Sequence, residues 1–510
     1  MGGLSRGSCA ISIMGSEHQS WEPLVAMQHM HGCMACMARM AAAASGCWLL
    51  SALPLHARCG RGRMLAMMSR GRLVKVQSHL AATQCGANGS EPAARQPPTT
   101  SMSNIWIQTE VKEGSYGFNA GQPGPPLIPI KEIKDALDRA MGKGGYDPLM
   151  LQYRTPKEFL PCRLGVATLL ASMHGRHVAP EQIAITSGNS AALGMLFSNH
   201  KLRKQRGGSP PTAVVENPTY FLARDMLADA GVLSIACPID REGLRVDVLE
   251  AMCAAGEAPD FVYTQPNYHN PTGYVLSRAR RRKLVQLAAQ YEFFVLADEP
   301  YNMLCFDEDN GGARPLPLCC EEGAEAHVLS LGSFSKILAP GLRIGWIQGQ
   351  QELLERAFQS AGIIRSGGAL NPLSALIVAE LLRDGFLERH IRRLVAVLGD
   401  NLQSMVHAIK EHIPGATVDI PSGGYFVWIR LPASCRINAA ELLARTQADA
   451  EAPLTFTVGE ACVAATRAVE AGEFDQYLRL SFAFHTAVEI QAGVALLGRF
   501  VCDASGPIAS

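Results

Sequence analysis

Residues 327–349 read HVLSLGSFSKILAPGLRIGWIQG. Two apolar runs, 327–333 and 343–349, flank a short polar turn that holds one lysine, Lys336, with Arg343 closing it. A solvated lysine needs no explanation. Between strands of this kind, however, the amine is bound for an interior turn, where burial disfavours the ammonium and turns it into a nucleophile. A lysine that forms a Schiff base with a carbonyl compound is one use of such a site. On this stretch alone a structural or surface lysine remains the alternative.

The runs around Lys336 belong to a longer series. TAVVE (212–216), DFVYTQP (260–266) and FFVLADEP (293–300) are also strand-like, and several are continuously apolar, as strands covered on both faces are. Between them RARRRKLVQLAAQY (278–291) has helical spacing, with Leu284, Leu287 and Ala288 on one side. This alternation predicts an α/β domain built on a mostly parallel sheet. Ligands of such sheets bind beyond the C-terminal ends of the strands.

The polar residues that follow the strands are therefore the candidates. In ITSGNSAALGML (185–196) a strand gives way to a helix, with Gly188, Asn189 and Ser190 at the junction; free N–H groups there suit an anion, or simply a cap. Tyr220, after ENP, can lie over a flat ligand or fill the core, and Asn270 precedes Pro271 in a turn. Asp298 and Glu299 end an apolar strand, where a carboxylate is costly unless paired. A protonated ring nitrogen is one such partner; the magnesium reading of the same pair needs a GxxxxGK[ST] loop, which the chain lacks. Tyr301 follows at once, and Ser333, Ser335 and Arg343 surround Lys336 with phosphate-binding groups. An anion site, a carboxylate for a ring nitrogen and an amine for a carbonyl describe one cofactor, pyridoxal 5′-phosphate (PLP). No metal is called for.

The ordered set NPTG, DEPY, SFSK and a late arginine resembles the fold-type I, class I/II aminotransferases, in particular the branch around 2-aminoadipate and aromatic aminotransferases. The likeness runs from about Tyr116 to His485. It implies that Lys336 bonds the cofactor and Asp298 pairs with its ring nitrogen, that Asn270 and Tyr301 hold its phenolic oxygen, and that Tyr220 stacks on its ring. Asn189, Ser190, Ser333, Ser335 and Arg343 match the phosphate cradle, and Arg479 in YLRLSFAF matches the clamp on the substrate carboxylate. Gly121 in FNAGQP stands beside the substrate, and Tyr153 matches a tyrosine lent to a neighbouring subunit's site, so a homodimer with shared sites is implied. Arg154 and Glu158 stand where the family usually has glycines, which opens the question of that loop's geometry. The expected fold is a large α/β PLP domain (156–384) and a smaller α+β domain (104–155 with 385–510). The expected reaction moves an amino group from an amino acid of 2-aminoadipate, aromatic or aliphatic type to a 2-oxoacid such as 2-oxoglutarate. A PLP lyase, forming a cyclopropane or cleaving a carbon–sulfur bond, would use the same residues. A PLP-binding transcriptional regulator would need a basic winged helix upstream, and the leader shows no such pattern.

The rest of the chain bounds these readings. Of 510 residues, 46 are Lys or Arg and 46 Asp or Glu, which removes any global bias toward nucleic acid or an anionic membrane. No stretch reaches the roughly 18 uninterrupted apolar residues of a membrane span. The fifteen cysteines form no regular framework and read as reduced thiols. His29, His31, Cys33 and Cys36 offer workable zinc spacing, but no second CxxC pair follows. Residues 1–103 contain arginines and only three acids, Glu17, Glu22 and Glu91, which fits a mitochondrial or chloroplast transit peptide. Initiation at Met102 is the alternative, and it gives a cytoplasmic protein.

Overall fold

The computed structural model describes residues 114–142, 148–204, 209–307, 314–368, 370–449, 452–464 and 472–505. The leader, its histidine–cysteine cluster and Met102 lie outside the described residues.

The described strands are β1 (Tyr116–Gly117), β2 (Ile183–Thr186), β3 (Thr212–Asn217), β4 (Leu233–Asp240), β5 (Gly243–Leu244), β6 (Phe261–Thr264), β7 (Phe294–Asp298), β8 (Val328–Ser333) and β9 (Gly345–Gln348), followed by β10 (Thr417–Asp419), β11 (Phe426–Arg430), β12 (Leu454–Thr455), β13 (Thr457–Val458) and β14 (Tyr477–Ser481). Eight of them form one sheet in the order β2-β9-β8-β7-β6-β3-β4-β5. From β4 through β3, β6 and β7 to β8 every pairing is parallel, which makes this an α/β fold. β9 is antiparallel to both neighbours. Its direction follows from chain length: only residues 334–344 separate it from β8, and a parallel return needs a crossover of about a dozen residues or more.

Each face of the sheet has its own apolar layer, because successive side chains alternate. Phe261, Tyr263, Leu296 and Leu331 pack with Leu193, Leu196 and Phe197 of the helix Asn189–Ser198. Val262, Val295 and Ala297 face the other way, against Leu249 and the buried Leu284, Leu287 and Ala288 of the helix Arg278–Tyr291. Ser277 caps that helix, accepting from the Arg280 N–H. Its bounds are those read from the sequence. β4 escaped that reading because it is half-exposed, beginning with the solvent-facing Leu233.

A second, antiparallel sheet has the order β10-β11-β14-β13. Val427, Ile429, Leu478 and Leu480 share a core with Leu398, Leu402 and Met405 of the long helix Phe386–His412 and with Val494 and Leu497 of the helix Ala487–Asp503. β1 pairs with β12, and the next residues reach β14: Phe118 accepts from the Ser481 N–H at 2.7 Å. This tie lays the segment that includes Gly121 over the C-terminal ends of the parallel strands, where Lys336 donates to the Gly121 carbonyl. No described helix is long and apolar enough to cross a membrane.

Candidate active site

Asp298 is the last residue of β7, and its side chain lies on the face shared by Tyr263 and Leu296. It is 3% exposed and accepts three hydrogen bonds, from Asn189 Nδ2 (2.7 Å), Tyr263 Oη (2.9 Å) and Gln265 Nε2 (3.2 Å). Burial nevertheless raises its pKa above the ordinary carboxylate value, while these donors and the Lys336 charge pull it down. A cation placed against Asp298 completes its electrostatics.

Lys336 sits in the turn after β8. Burial pushes its pKa down to about 8, helped by the positive fields of Arg479 and Arg343 and resisted by Asp298. Its backbone carbonyl accepts from Tyr425 Oη at 2.6 Å, and the amine stands 5.9 Å from the Tyr425 ring centre. The residue is thus held on both sides, with a free-base fraction near neutral pH.

The anion side of the site is built from backbone as much as from side chains. Gly188, at φ +88°, turns β2 into the helix Asn189–Ser198, whose first internal bond is Ala192 N–H to the Gly188 carbonyl. The N–H groups of Asn189 to Ala191 precede that bond and face outward at the positive end of the helix. The Asn189 side chain is turned inward to Asp298, whereas Ser190 is exposed. A β-carbon at Gly188 would meet Arg343 Nη2 at 2.9 Å, so the guanidinium lies across the glycine. Arg343 itself is exposed, in the left-handed region at φ +49°, and donates to Ser335 Oγ at 3.4 Å. Ser333 Oγ in turn accepts from the Ser335 N–H at 3.1 Å. Ser333, Ser335, Arg343 and the helix start therefore converge on one spot.

Opposite stands Arg479 of β14, 2% exposed. Nη1 donates to Asn270 Oδ1 (2.7 Å), and Nη2 donates to the Asn119 carbonyl and to Thr457 Oγ1 (both 2.9 Å). The guanidinium lies 4.0 Å from the Phe426 ring centre, and Nε has no partner. Among the described residues no carboxylate forms an ion pair with it. The internal ion pair that would make Arg479 purely structural is not there. A carboxylate that takes the fork through two parallel bonds displaces one of the Nη2 partners.

Asn270 and Tyr301 are both 3% exposed, and Tyr301 packs 5.3 Å from Tyr425 and 5.8 Å from Phe426 between ring centres. Tyr220 caps the next helix, Phe221–Asp229, half-buried within the fields of Asp298, Arg479 and Arg343. A β-carbon at Gly121 would lie 3.1 Å from Phe426 Cζ, so a larger residue there would press on that ring. Tyr153 is the one residue of the sequence-derived set that the chain does not bring to this place. It is 84% exposed, and its ring covers Gly367 instead. The question raised by Arg154 and Glu158 has a local answer. Glu158 accepts from the Thr155 N–H at 2.6 Å and lies 3.6 Å from Arg154, closing a capping box on the short turn Pro156–Phe159.

The donor set fits a phosphorylated pyridine aldehyde: a buried carboxylate on one side, an anion cradle on another, and a depressed amine between them. Residues 117–497 match the family model for aminotransferases of class I and II. The chain belongs to that family. This aminotransferase is 32% identical over 397 residues to a 2-aminoadipate transaminase of Thermus thermophilus, covering 76% of this chain and 90% of that protein. It is 30% identical over 392 residues to an aromatic-amino-acid aminotransferase of Thermococcus litoralis, covering 75% and 86%. Its fold matches the crystal structure of the Thermus thermophilus alpha-aminoadipate aminotransferase complexed with N-(5′-phosphopyridoxyl)-L-leucine. That match has TM-score 0.65 and 29% identity, and covers 77% of this chain and 93% of that one. The aminotransferase is thus a PLP enzyme with the fold expected from the sequence.

Sequence reading missed four neighbours of the site. Tyr263 and Gln265 hold Asp298, and Gln265 Oε1 also accepts from the Asn270 N–H at 2.8 Å, so one amide links two of the site's main groups. Tyr425 and Phe426 come from the second sheet and border Lys336 and Arg479. Only Gln265 left a signal, as a polar residue in DFVYTQP directly after the strand next to β7.

Proposed function

We propose that this aminotransferase moves the amino group of 2-aminoadipate, aromatic or aliphatic amino acids to a 2-oxoacid such as 2-oxoglutarate. The observation that carries the reading is Arg479: a buried guanidinium without a carboxylate of its own, placed across the site from Lys336. Both named relatives act on amino acids of the first two kinds. Bound PLP supplies a carbonyl for the amino group and a ring that withdraws electrons from the substrate α-carbon. Asp298 keeps a proton on the ring nitrogen, and Asn270 and Tyr301 orient the phenolic oxygen. Ser333, Ser335, Arg343 and the start of the helix at Asn189 bind the phosphate, with Tyr220 against the ring. Arg479 fixes the α-carboxylate. Lys336, once free, would take the α-proton as a base and deliver it to the cofactor's C4′ carbon.

Homodimerisation is part of this proposal. Leu151, Tyr153, Leu160, Leu164 and Ile363 are large, apolar and 48–84% exposed, and Tyr153 and Ile363 both adjoin the turn at Gly367 and Gly368. A second copy that covers this surface would receive Tyr153 in its own site. We further propose that residues 1–103 direct the protein to the mitochondrion or chloroplast, on the strength of their arginine-containing, acid-poor composition. Fractionation of cells expressing the full chain or a chain begun at Met102 tests this; identical distributions refute it.

The reaction is tested by screening amino donors against 2-oxoglutarate and following glutamate. Release of ammonia or thiol without glutamate would make the protein a lyase. In the same assay Arg479→Lys should raise KM roughly ten- to a hundredfold for every donor and acceptor alike. The loss of one charge-assisted bond, about 1.5–3 kcal/mol, sets that range. Melting temperature and cofactor content should barely change. A lowered melting temperature with normal KM would make Arg479 structural.

A further inference from the structure

Past Asp298 the chain presents a second polar space. A cavity with room for a single water-sized occupant is lined by Glu299, Asn302, Ser330 and Gln348, with Leu170 and Trp346 completing its wall. Ser330 pairs with Gln348 across β8 and β9, so both side chains leave the sheet on one face.

Three of these side chains present oxygen to the cavity and find no cation there among the protein's own groups. Glu299 is 4% exposed and forms no ion pair with any described residue. Among the described residues it accepts from the Leu318 N–H at 2.8 Å, and the nearby Ser330 hydroxyl favours its charged form. Asn302 donates its Nδ2 to the Pro315 carbonyl at 2.8 Å, and Gln348 donates its Nε2 to Cys320 Sγ at 3.6 Å. The Pro315 carbonyl can only accept, so the first bond fixes which way the Asn302 amide points. The other ends, Asn302 Oδ1 and Gln348 Oε1, are buried without a partner. Arg281 contributes a positive field, but four of its five N–H groups go to the carbonyls of Leu276, Leu316 and Pro266 and to Asn267 Oδ1, and it forms no ion pair with Glu299.

A water molecule has two protons to give, one for each amide oxygen, and leaves the carboxylate as it was. A bound monovalent cation serves all three oxygens at once and holds the carboxylate charged. A divalent ion fits worse: one carboxylate leaves it half-compensated, and magnesium keeps several waters for which there is no room.

We propose that this cavity binds one alkali cation, sodium or potassium, through the Glu299 carboxylate and the amide oxygens of Asn302 and Gln348. Ser333 and Ile337 also border the cavity, so the ion braces the turn that carries Lys336 from behind.

The full-length holoenzyme should be melted in sodium, potassium and tetramethylammonium chloride at equal ionic strength. Sodium or potassium should raise the midpoint by several degrees over tetramethylammonium, saturably with concentration, and the stronger of the two names the occupant. Glu299→Gln should abolish that difference, and Asn302→Ala should weaken it. Crystals grown in rubidium or thallium salts should show an anomalous peak between Glu299 and the two amides, which decides the matter even if Glu299→Gln does not fold. Equal midpoints in the three salts, a cation response that persists in Glu299→Gln, or a cavity holding only water would each overturn the proposal.

Discussion

Lys336→Ala should bind PLP and turn over almost nothing. The substitution removes the amine that attacks the cofactor's carbonyl and, with it, the base that moves the α-proton of the amino acid. A positioned base alone is worth roughly 10²–10⁴-fold, so turnover should fall at least that far. Binding should survive, because Asp298 and the helix start at Asn189 lie on other elements and Ser333, Ser335 and Arg343 keep their side chains. Borohydride should fix the cofactor covalently to the wild-type protein at Lys336 and leave it extractable from the variant. A label on another lysine, or more than a tenth of normal turnover, would remove Lys336 from its role. The apo-protein adds a test of sign. Folding depresses the lysine's pKa from 10.5 to about 8, so the buried ammonium destabilises the fold fully below pH 8. That cost fades as pH climbs to 10.5. The stability difference between Lys336→Ala and wild type should therefore shift in favour of wild type across that window.

Asp298→Asn should cost roughly 10²–10⁴ in turnover while the protein folds normally. Breaking a buried charge pair by neutralising one member costs about 3–5 kcal/mol, and each 1.36 kcal/mol is a factor of ten in rate. The asparagine keeps the shape and still accepts from Asn189, but its amide meets the Gln265 donor head-on. Stability should move the other way. Burial raises the Asp298 pKa above 3.8, so the folded apo-protein binds that proton more readily than the unfolded chain. Its stability falls as pH rises through the window just above 3.8, and the deficit persists at neutral pH. Asp298→Asn should therefore melt no lower than wild type as apo-protein at pH 7, and its advantage should vanish in acid. Near-normal turnover would end the ring-nitrogen assignment.

Lys336 and Asp298 were legible because each breaks an apolar run at the end of a strand, where an ionisable group is out of place unless it is used. Gly188 and Asn189 showed themselves by small residues at a strand-to-helix junction. Tyr263 did not, since an aromatic within a buried strand reads as core; only the sheet's register turns its hydroxyl toward Asp298. Tyr425 and Phe426 were invisible for another reason: they reach the site from the antiparallel sheet, far along the chain from Lys336. Gly121 and Arg479 came from likeness to a family rather than from local pattern, and the structure supplies their physics, a tight approach to the Phe426 ring and a buried guanidinium with no ion-paired carboxylate among the described residues. Glu158 was read as a departure from glycine, and it builds its turn by capping it.

The order of the second sheet bears on how the protein comes off the ribosome. β14, which carries Arg479, is the last strand made, yet it takes an interior place between β11 and β13. All eight strands of the large sheet, with Asp298 and Lys336, are complete more than a hundred residues earlier. During synthesis, then, the half that grips the cofactor can fold while the half that grips the amino acid still has a gap in its middle. A chain stopped between Gln348 and Leu478 would have the groups that hold PLP and would lack the arginine that holds its substrate.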